Sequence, residues 1–187
     1  MTVYFTASIF GKRYYLDQYL EIIDCLKSKN LGVICDHIIN TSEIQISQEK
    51  RDDRFKFHQQ LEKWINSCDF VVVEATYPSI SVGYEISLSL SFGKPVLVLY
   101  TKGNPPSLLA EFENDKLICK KYTFQTLNSI IDEFTAHVQE IDDVKFTFFI
   151  TPEIASFLDK TSTKENLPKS VYLRKLIQED MRNHQIL

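Results

Sequence analysis

Apolar positions along this chain come in solid blocks separated by polar, periodic stretches. The run Phe70–Val73 is apolar at every position and rich in valine, the pattern of a strand covered on both faces. Thr76-Tyr77-Pro78-Ser79 breaks it. A helix is predicted from about Ser81 to Phe92, with Gly93 where a left-handed carboxyl cap falls, and Pro95–Tyr100 repeats the buried-strand pattern. The same alternation continues on either side. Thr2–Ala7 has strand composition, about Tyr14–Lys29 carries Tyr15, Tyr19, Ile22, Ile23 and Leu26 at near-helical spacing, and Gly32–Asp36 reads as a short strand. A helix from about Asp53 to Ser67 puts Phe57, Leu61, Trp64 and Ile65 on one face; Lys116–Lys120 is a weak strand and about Phe124–Val138 an amphipathic helix. Asn40–Asp52 is polar and aperiodic, so a surface loop able to act as a lid is expected there. Five strands alternating with helices predict an α/β fold, a doubly wound five-stranded parallel sheet in flavodoxin-like order, over residues 1–139.

Beyond Glu140-Ile141-Asp142-Asp143, which reads as a linker, the pattern changes. Lys145, Thr147 and Phe149 alternate with Phe146, Phe148 and Ile150, Pro152 opens a helix to about Lys160, Asn166-Leu167-Pro168 forms a turn, and Ser170 to about Asn183 is a second helix with Val171, Leu173, Leu176 and Ile177 on its apolar side. One strand and two helices in roughly 40 residues make too small a core to stand alone and call for a partner chain. The order of elements in 144–187 resembles the ribbon-helix-helix family. The resemblance implies an intertwined homodimer whose outward strand residues, here Lys145, Thr147 and Phe149, reach DNA. Seven Lys/Arg against five Asp/Glu after Asp143 is a thin balance for neutralising phosphates, so dimerisation without DNA stands beside dimerisation with it.

The whole chain has 187 residues, 44% hydrophobic and 25% charged, with a net charge of −4. These are ordinary values for a globular protein and argue against one that coats nucleic acid with its entire surface. The first residues enter a strand and then meet Lys12 and Arg13, unlike a secretory or transit segment, and no apolar run approaches ~18 residues, so a cytoplasmic protein is expected. Cys25, Cys35, Cys68 and Cys119 show no paired spacing and read as reduced thiols. No pattern calls for a metal or another cofactor.

The chemistry gathers at the strand ends. Glu85 is expected in the first turn of its helix, facing the crevice where open α/β sheets bind ligands. Ser79 and Ser81, with the free N–H groups of the helix start, suit an anion, and Gly83 lets a ligand approach the backbone. Val3-Tyr4-Phe5 with Ala7-Ser8-Ile9, Asp36-His37 and Pro78-Ser79-Ile80-Ser81-Val82-Gly83-Tyr84-Glu85 together resemble the nucleoside 2-deoxyribosyltransferase superfamily, closest to the 2'-deoxynucleoside 5'-monophosphate N-glycosidases, over about residues 1–135. The resemblance implies that Glu85 is a nucleophile attacking the anomeric carbon and that Tyr4 orients it. It further implies that Ser8, Ile9, Gly11 and Ser79 surround a 5'-phosphate, that His37 lines the base or phosphate side, and that Ser107 reaches a neighbouring subunit's site.

Two departures stand out. An arginine that such glycosidases carry after the Ser-Ile of the first loop is here Phe10, leaving Lys12 or Arg13 to supply the charge. An aspartate that the superfamily places on the helix before the nucleophile strand falls on Leu61 or, one residue shifted, on Gln60, and Gln cannot act as an acid. Three readings follow: an N-glycosidase of (deoxy)nucleoside 5'-monophosphates, a catalytically silent nucleotide sensor with a dimerising, DNA-docking tail, and a nucleoside deoxyribosyltransferase.

Overall fold

Five parallel strands, β1 (Thr2–Ala7), β2 (Gly32–Ile34), β3 (Phe70–Glu74), β4 (Val96–Tyr100) and β5 (Leu117–Lys121), form one sheet in the order β2-β1-β3-β4-β5, the flavodoxin-like order expected from the alternating pattern. The computed structural model describes residues 1–103, 116–140, 150–165 and 169–183, and the chain divides into two compact units, Met1–Lys145 and Phe146–Leu187. In the first unit β1 pairs with β3 through Tyr4 opposite Val71 and Ala7 opposite Glu74, so the two strands end level with one another. The helices are α1 (Lys12–Ser28), α2 (Asp36–Ile39), α3 (Glu43–Ser47), α4 (Arg51–Ser67), α5 (Ile80–Ser91) and α6 (Phe124–Glu140).

Strand alternation sorts the core into two layers. Val3, Phe5, Phe70, Val72, Leu97 and Leu99 meet Tyr19, Ile22 and Leu26 of α1 and Leu127, Ile131 and Phe134 of α6. Tyr4, Val71, Val73, Val96 and Val98 meet Leu61 and Ile65 of α4 and Val82 and Ile86 of α5. Both faces of β3 are covered, which is why its sequence is a solid apolar run. Gly93 closes α5 in the left-handed conformation at φ 72°, its N–H bonded to the Leu90 carbonyl and that of Lys94 to Ser89.

The main departure from the sequence reading is Asn40–Asp52. In place of a loop it holds α3 and the start of α4, following the extra turn α2. Ser42 and Gln45 form a reciprocal capping box: the Gln45 N–H donates to Ser42 Oγ at 3.3 Å and the Ser42 N–H to Gln45 Oε1 at 2.7 Å. The segment is tied down by Lys12, whose ammonium donates to the carbonyls of Ile38, Ile39 and Thr41, and by Arg13, which pairs with Glu43 at 3.4 Å.

In the second unit, α7 (Pro152–Glu165) starts with Thr151 Oγ1 accepting from the Ile154 N–H at 3.4 Å, and α8 is Lys169–Asn183. Phe157 and Tyr172 approach at 6.4 Å between ring centroids, Lys169 pairs with Asp159, and Leu158 is buried, whereas Ile154, Phe157, Leu176 and Ile177 are exposed. The expected linker and strand residues 141–149, with Lys145, Thr147 and Phe149, and the turn at 166–168 lie outside the described residues.

Candidate active site

Because the chain passes from β1 outward to β2 and then returns to the other side of β1 for β3, the carboxyl ends of β1 and β3 flank the switch point of the sheet. Ligands of such sheets bind beyond that edge. The residues delivered to it are Ser8 and Ile9 after β1, His37 on α2, and Ser79 through Glu85 after β3.

Glu85 lies in the second turn of α5 rather than the first: Ser79 caps the helix, its Oγ accepting from the Val82 N–H at 3.4 Å, and α5 begins at Ile80, one residue before the expected start at about Ser81. That depth directs the carboxylate to the buried, sheet-facing side, where Glu85 is 6% exposed and Tyr4 Oη donates to its Oε2 at 2.9 Å. Burial raises the pKa of Glu85 above the ordinary carboxyl range, and the hydroxyls of Thr6 and Tyr4 pull it back down. The Thr6 hydroxyl faces the same carboxylate but falls short of hydrogen-bond geometry and has no other partner. Burial, then the neighbouring Glu85, raises the Tyr4 phenol, so it remains a proton donor.

An aromatic stack backs this pair. Tyr4 lies flat on His37 at 4.9 Å with 6° between planes, His37 on Trp64 at 4.9 Å, and Phe57 meets Trp64 edge-on at 6.1 Å. Burial pushes His37 down to about 4 against the opposing pull of Asp36, so the ring is neutral at pH 7, and neither ring nitrogen has a hydrogen-bond partner. Both ring nitrogens are buried near the switch point.

The other predicted residues divide by what already occupies them. Ser8 is buried, its Oγ accepting from the Gly11 N–H at 3.2 Å and its carbonyl from Tyr19 Oη at 3.1 Å. A Cβ on Gly11 would stand 2.5 Å from Tyr19 Oη and 2.8 Å from Tyr77 Cβ, so glycine is required there by packing. Ile9 packs against the layer of α1 and α6. Arg13 is held by Glu43 and stacks over Tyr14 at 5.1 Å. Ser79 and Gly83 line a cavity of about 500 Å³ with Thr76, Tyr77, Tyr100 and Lys102, and a Cβ on Gly83 would meet nothing within 4 Å. Glu85 and Tyr4 are not among the residues lining that cavity. On α4, Leu61 is buried in the same cluster as Tyr4, while Gln60 is half-buried. Ser107 lies outside the described residues.

Sequence reading missed two features. Glu74 closes β3, fully buried, one residue beyond the apolar run Phe70–Val73. His58 Nε2 is hydrogen-bonded to Tyr84 Oη and its Nδ1 lies 3.8 Å from Glu62 Oε1, a bridge from α4 to α5 beside Glu85. The i,i+4 spacing of His58 and Glu62 was visible in the sequence; their approach to Tyr84 was not.

The chain is similar to known proteins. Over 123 residues the chain is 30% identical to a putative 2'-deoxynucleoside 5'-phosphate N-hydrolase 1 of Syntrophotalea carbinolica, covering 65% of this chain and 84% of that protein. The chain belongs to the 2'-deoxynucleoside 5'-phosphate N-hydrolase family. Other members are similar over shorter spans: the putative enzyme of Nematostella vectensis is 36% identical over 52% of this chain and 66% of its own length, and the rat 5-hydroxymethyl-dUMP N-hydrolase 32% identical over 53% and 60%. The chain thus spans a little under two thirds of these two N-hydrolases. A CMP N-glycosidase of Clostridium botulinum superposes with a TM-score of 0.49 at 17% identity over 71% of this chain and 99% of that one. No protein-family model matches the chain.

Proposed function

We infer that this chain hydrolyses the bond between base and sugar in (deoxy)nucleoside 5'-monophosphates, with Glu85 as nucleophile. The observation that carries the reading is the buried hydrogen bond from Tyr4 to Glu85 Oε2 at the switch point of the sheet. With Oε2 held by the phenol, Oε1 attacks C1' of the sugar. The C1'–N bond breaks through an oxocarbenium-like transition state that the carboxylate charge stabilises, and water then hydrolyses the glycosyl ester. The α5 start with Ser79, together with Ser8, forms the phosphate end, and the open space over Gly83 adjoins Ser79 in the same cavity. The neutral His37 ring, backed by Tyr4 and Trp64, lines the base side. The N-hydrolase names of the relatives support the same bond as the target. Gly11 keeps its loop close to this pocket, Gln60 and Ser107 complete the set assigned to substrate, and Arg13 supplies phosphate charge once released from Glu43.

The test is to incubate the purified protein with a panel of deoxy- and ribonucleotides and follow free base. Release in the wild type that persists unchanged in Glu85→Ala would falsify the mechanism. One observation favours a second reading, a silent nucleotide sensor: apolar Leu61, buried beside Tyr4, stands where an acid was expected. Saturable nucleotide binding without turnover would support it. Base exchange, the deoxyribosyltransferase reading, requires product that depends on an added acceptor base. The apolar residues left exposed on α7 and α8 support a homodimer through residues 144–187, with DNA contact as its further extension. Cytoplasmic location belongs to the same reading; among the described residues no helix is long and apolar enough to cross a membrane.

A further inference from the structure

The hydrolase reading leaves one proton without a source. When C1'–N breaks, the electron pair stays on the base, and a departing nucleobase needs a proton to be a good leaving group. Neither Leu61 nor Gln60 can provide it, Tyr4 is committed to Glu85, and the buried His37 ring is neutral.

One turn along α4 from Leu61 stands His58. Residues three apart share a helix face, and α4 precedes β3, so its amino-terminal part points toward the strand-carboxyl edge; His58 therefore lies about 4.5 Å nearer the ligand edge than Leu61. Its immediate neighbour Phe57 belongs to the aromatic group of His37 and Trp64, and its partner Tyr84 adjoins Glu85 on α5. The titratable side chains in contact with His58 among the described residues are Glu62, one turn away at Nδ1, and Tyr84 at Nε2. Glu62 Oε1 at 3.8 Å is a neighbouring charge of Nδ1 rather than a hydrogen-bond partner, and the bond to Tyr84 Oη directs Nε2 toward the seam between α4 and α5. Glu85 occupies the sheet side of this seam, 6% exposed, and Tyr84 its solvent side, 46% exposed.

Resting on the hydrolase reading, we propose that His58 is the general acid of this site, with Glu62 and Tyr84 as positioning residues, in place of the acid whose expected position falls on Leu61 or Gln60. As Glu85 Oε1 bonds to C1', the C1'–N pair moves onto the base, and the Nε2 proton of the imidazolium leaves its bond with Tyr84 Oη and passes to a base nitrogen or oxygen. In the second step water attacks C1', the ester to Glu85 breaks, and His58 recovers a proton from that water. Substrate charge and atoms balance without any further reactant.

The experiment follows base release against pH for whichever nucleoside 5'-monophosphate the wild type cleaves fastest. It is repeated with the p-nitrophenyl glycoside of 2-deoxyribose 5-phosphate, whose leaving group departs as an anion. His58→Gln is expected to lower kcat/KM for the nucleotide about 100-fold near neutrality and to remove the decline in rate on the alkaline side. The nitrophenyl substrate should change less than about threefold, because general-acid assistance is not needed there. Tyr84→Phe and Glu62→Gln should give smaller losses, of order threefold to tenfold, and displace the alkaline limb rather than abolish it. Equal loss on both substrates, or an alkaline limb unchanged in His58→Gln, overturns the proposal; the nucleotide pH profile alone decides where the nitrophenyl substrate is not accepted. Should His58→Gln fail to fold, His58→Asn carries the same test. An inert wild type overturns the hydrolase reading and this proposal with it, whereas an active wild type silenced by Glu85→Gln keeps the former even if His58 fails.

Discussion

Two glutamates are buried at the carboxyl edge of the sheet, on opposite faces of it. Glu74 ends β3 on the side of α1 and α6, close to Tyr19 and Tyr122, and Glu85 sits on α5 on the side of Tyr4. Burial raises both above the ordinary carboxyl range, Glu74 to about 7. What separates them is where their hydrogen bonds come from. Thr76, two residues on, supplies both donors to Glu74 Oε1, its backbone N–H at 3.3 Å and its hydroxyl, while Oε2 has none. The donor to Glu85 comes from β1, 81 residues away in sequence. A local partner fixes the path of the β3–α5 turn, whereas a partner from a central strand fixes a carboxylate relative to the crevice. A raised pKa marks neither carboxyl as functional; the origin of the donors makes the distinction.

The strongest way to break this contrast is to neutralise each carboxyl in turn. Glu85→Gln keeps the shape and should lower base release by at least about 1,000-fold, since both bond making and charge stabilisation at C1' are lost. A variant with substantial residual release would put Glu85 on the same footing as Glu74. Tyr4→Phe comes next, with a loss in kcat of about 10- to 100-fold, in the lower range of a positioned hydrogen-bonding group. The nucleophile works only when ionised, so activity is lost as pH falls through the pKa of Glu85. Removing the Tyr4 donor raises that pKa further, and the acidic limb of the pH profile should move to higher pH. A limb that stays put would assign Tyr4 to packing alone.

The two-face burial of β3 and β4 was legible because strands covered on both sides must be apolar at every position, and Phe70–Val73 and Val96–Tyr100 are close to that. The strand order followed from alternation with helices. The helices of Asp36–Ile39 and Glu43–Ser47 escaped because four or five residues are too few to show a period, although Ser42 and Gln45 carried the capping signature. Glu85 falls in the second turn rather than the first because α5, capped by Ser79, begins at Ile80, and a helix start is legible in sequence only to within a residue or two. Tyr4, Ser8 and His37 were gathered to one edge by resemblance rather than by pattern. The link from His58 to Tyr84 and the burial of Glu74 depend on how distant elements meet, which no local spacing encodes.

Glu74→Gln should leave base release within about threefold of wild type and act on stability instead. A carboxyl raised from its ordinary 4.5 to about 7 binds its proton more tightly in the folded state, so its contribution is complete below pH 4.5 and is lost as pH rises through 7. At 1.36 kcal/mol per pH unit this amounts to about 3 kcal/mol of stability lost by the wild type between pH 5 and pH 8. Gln does not ionise, and chemical unfolding at the two pH values should show that difference largely abolished. A wild type equally stable at both would mean that Glu74 is solvated and the contrast between the two carboxyls is false.

The smallest expected effect tests the local partner itself. Thr76 Oγ1 donates to Glu74 and accepts from the Thr101 N–H at 2.9 Å. Thr76→Val keeps the volume and removes both interactions. The Thr101 N–H then loses its acceptor at every pH, a cost of about 1 kcal/mol. The Thr76 hydrogen bonds lower the pKa of Glu74, so losing the hydroxyl raises it further and penalises only the ionised form. The variant should accordingly lose about 1 kcal/mol more at pH 8 than at pH 5, and Thr76→Ser, which restores the hydroxyl, should recover most of both. A pH-independent loss would show that the hydroxyl serves Thr101 alone, and that Glu74 is held by the backbone of its turn.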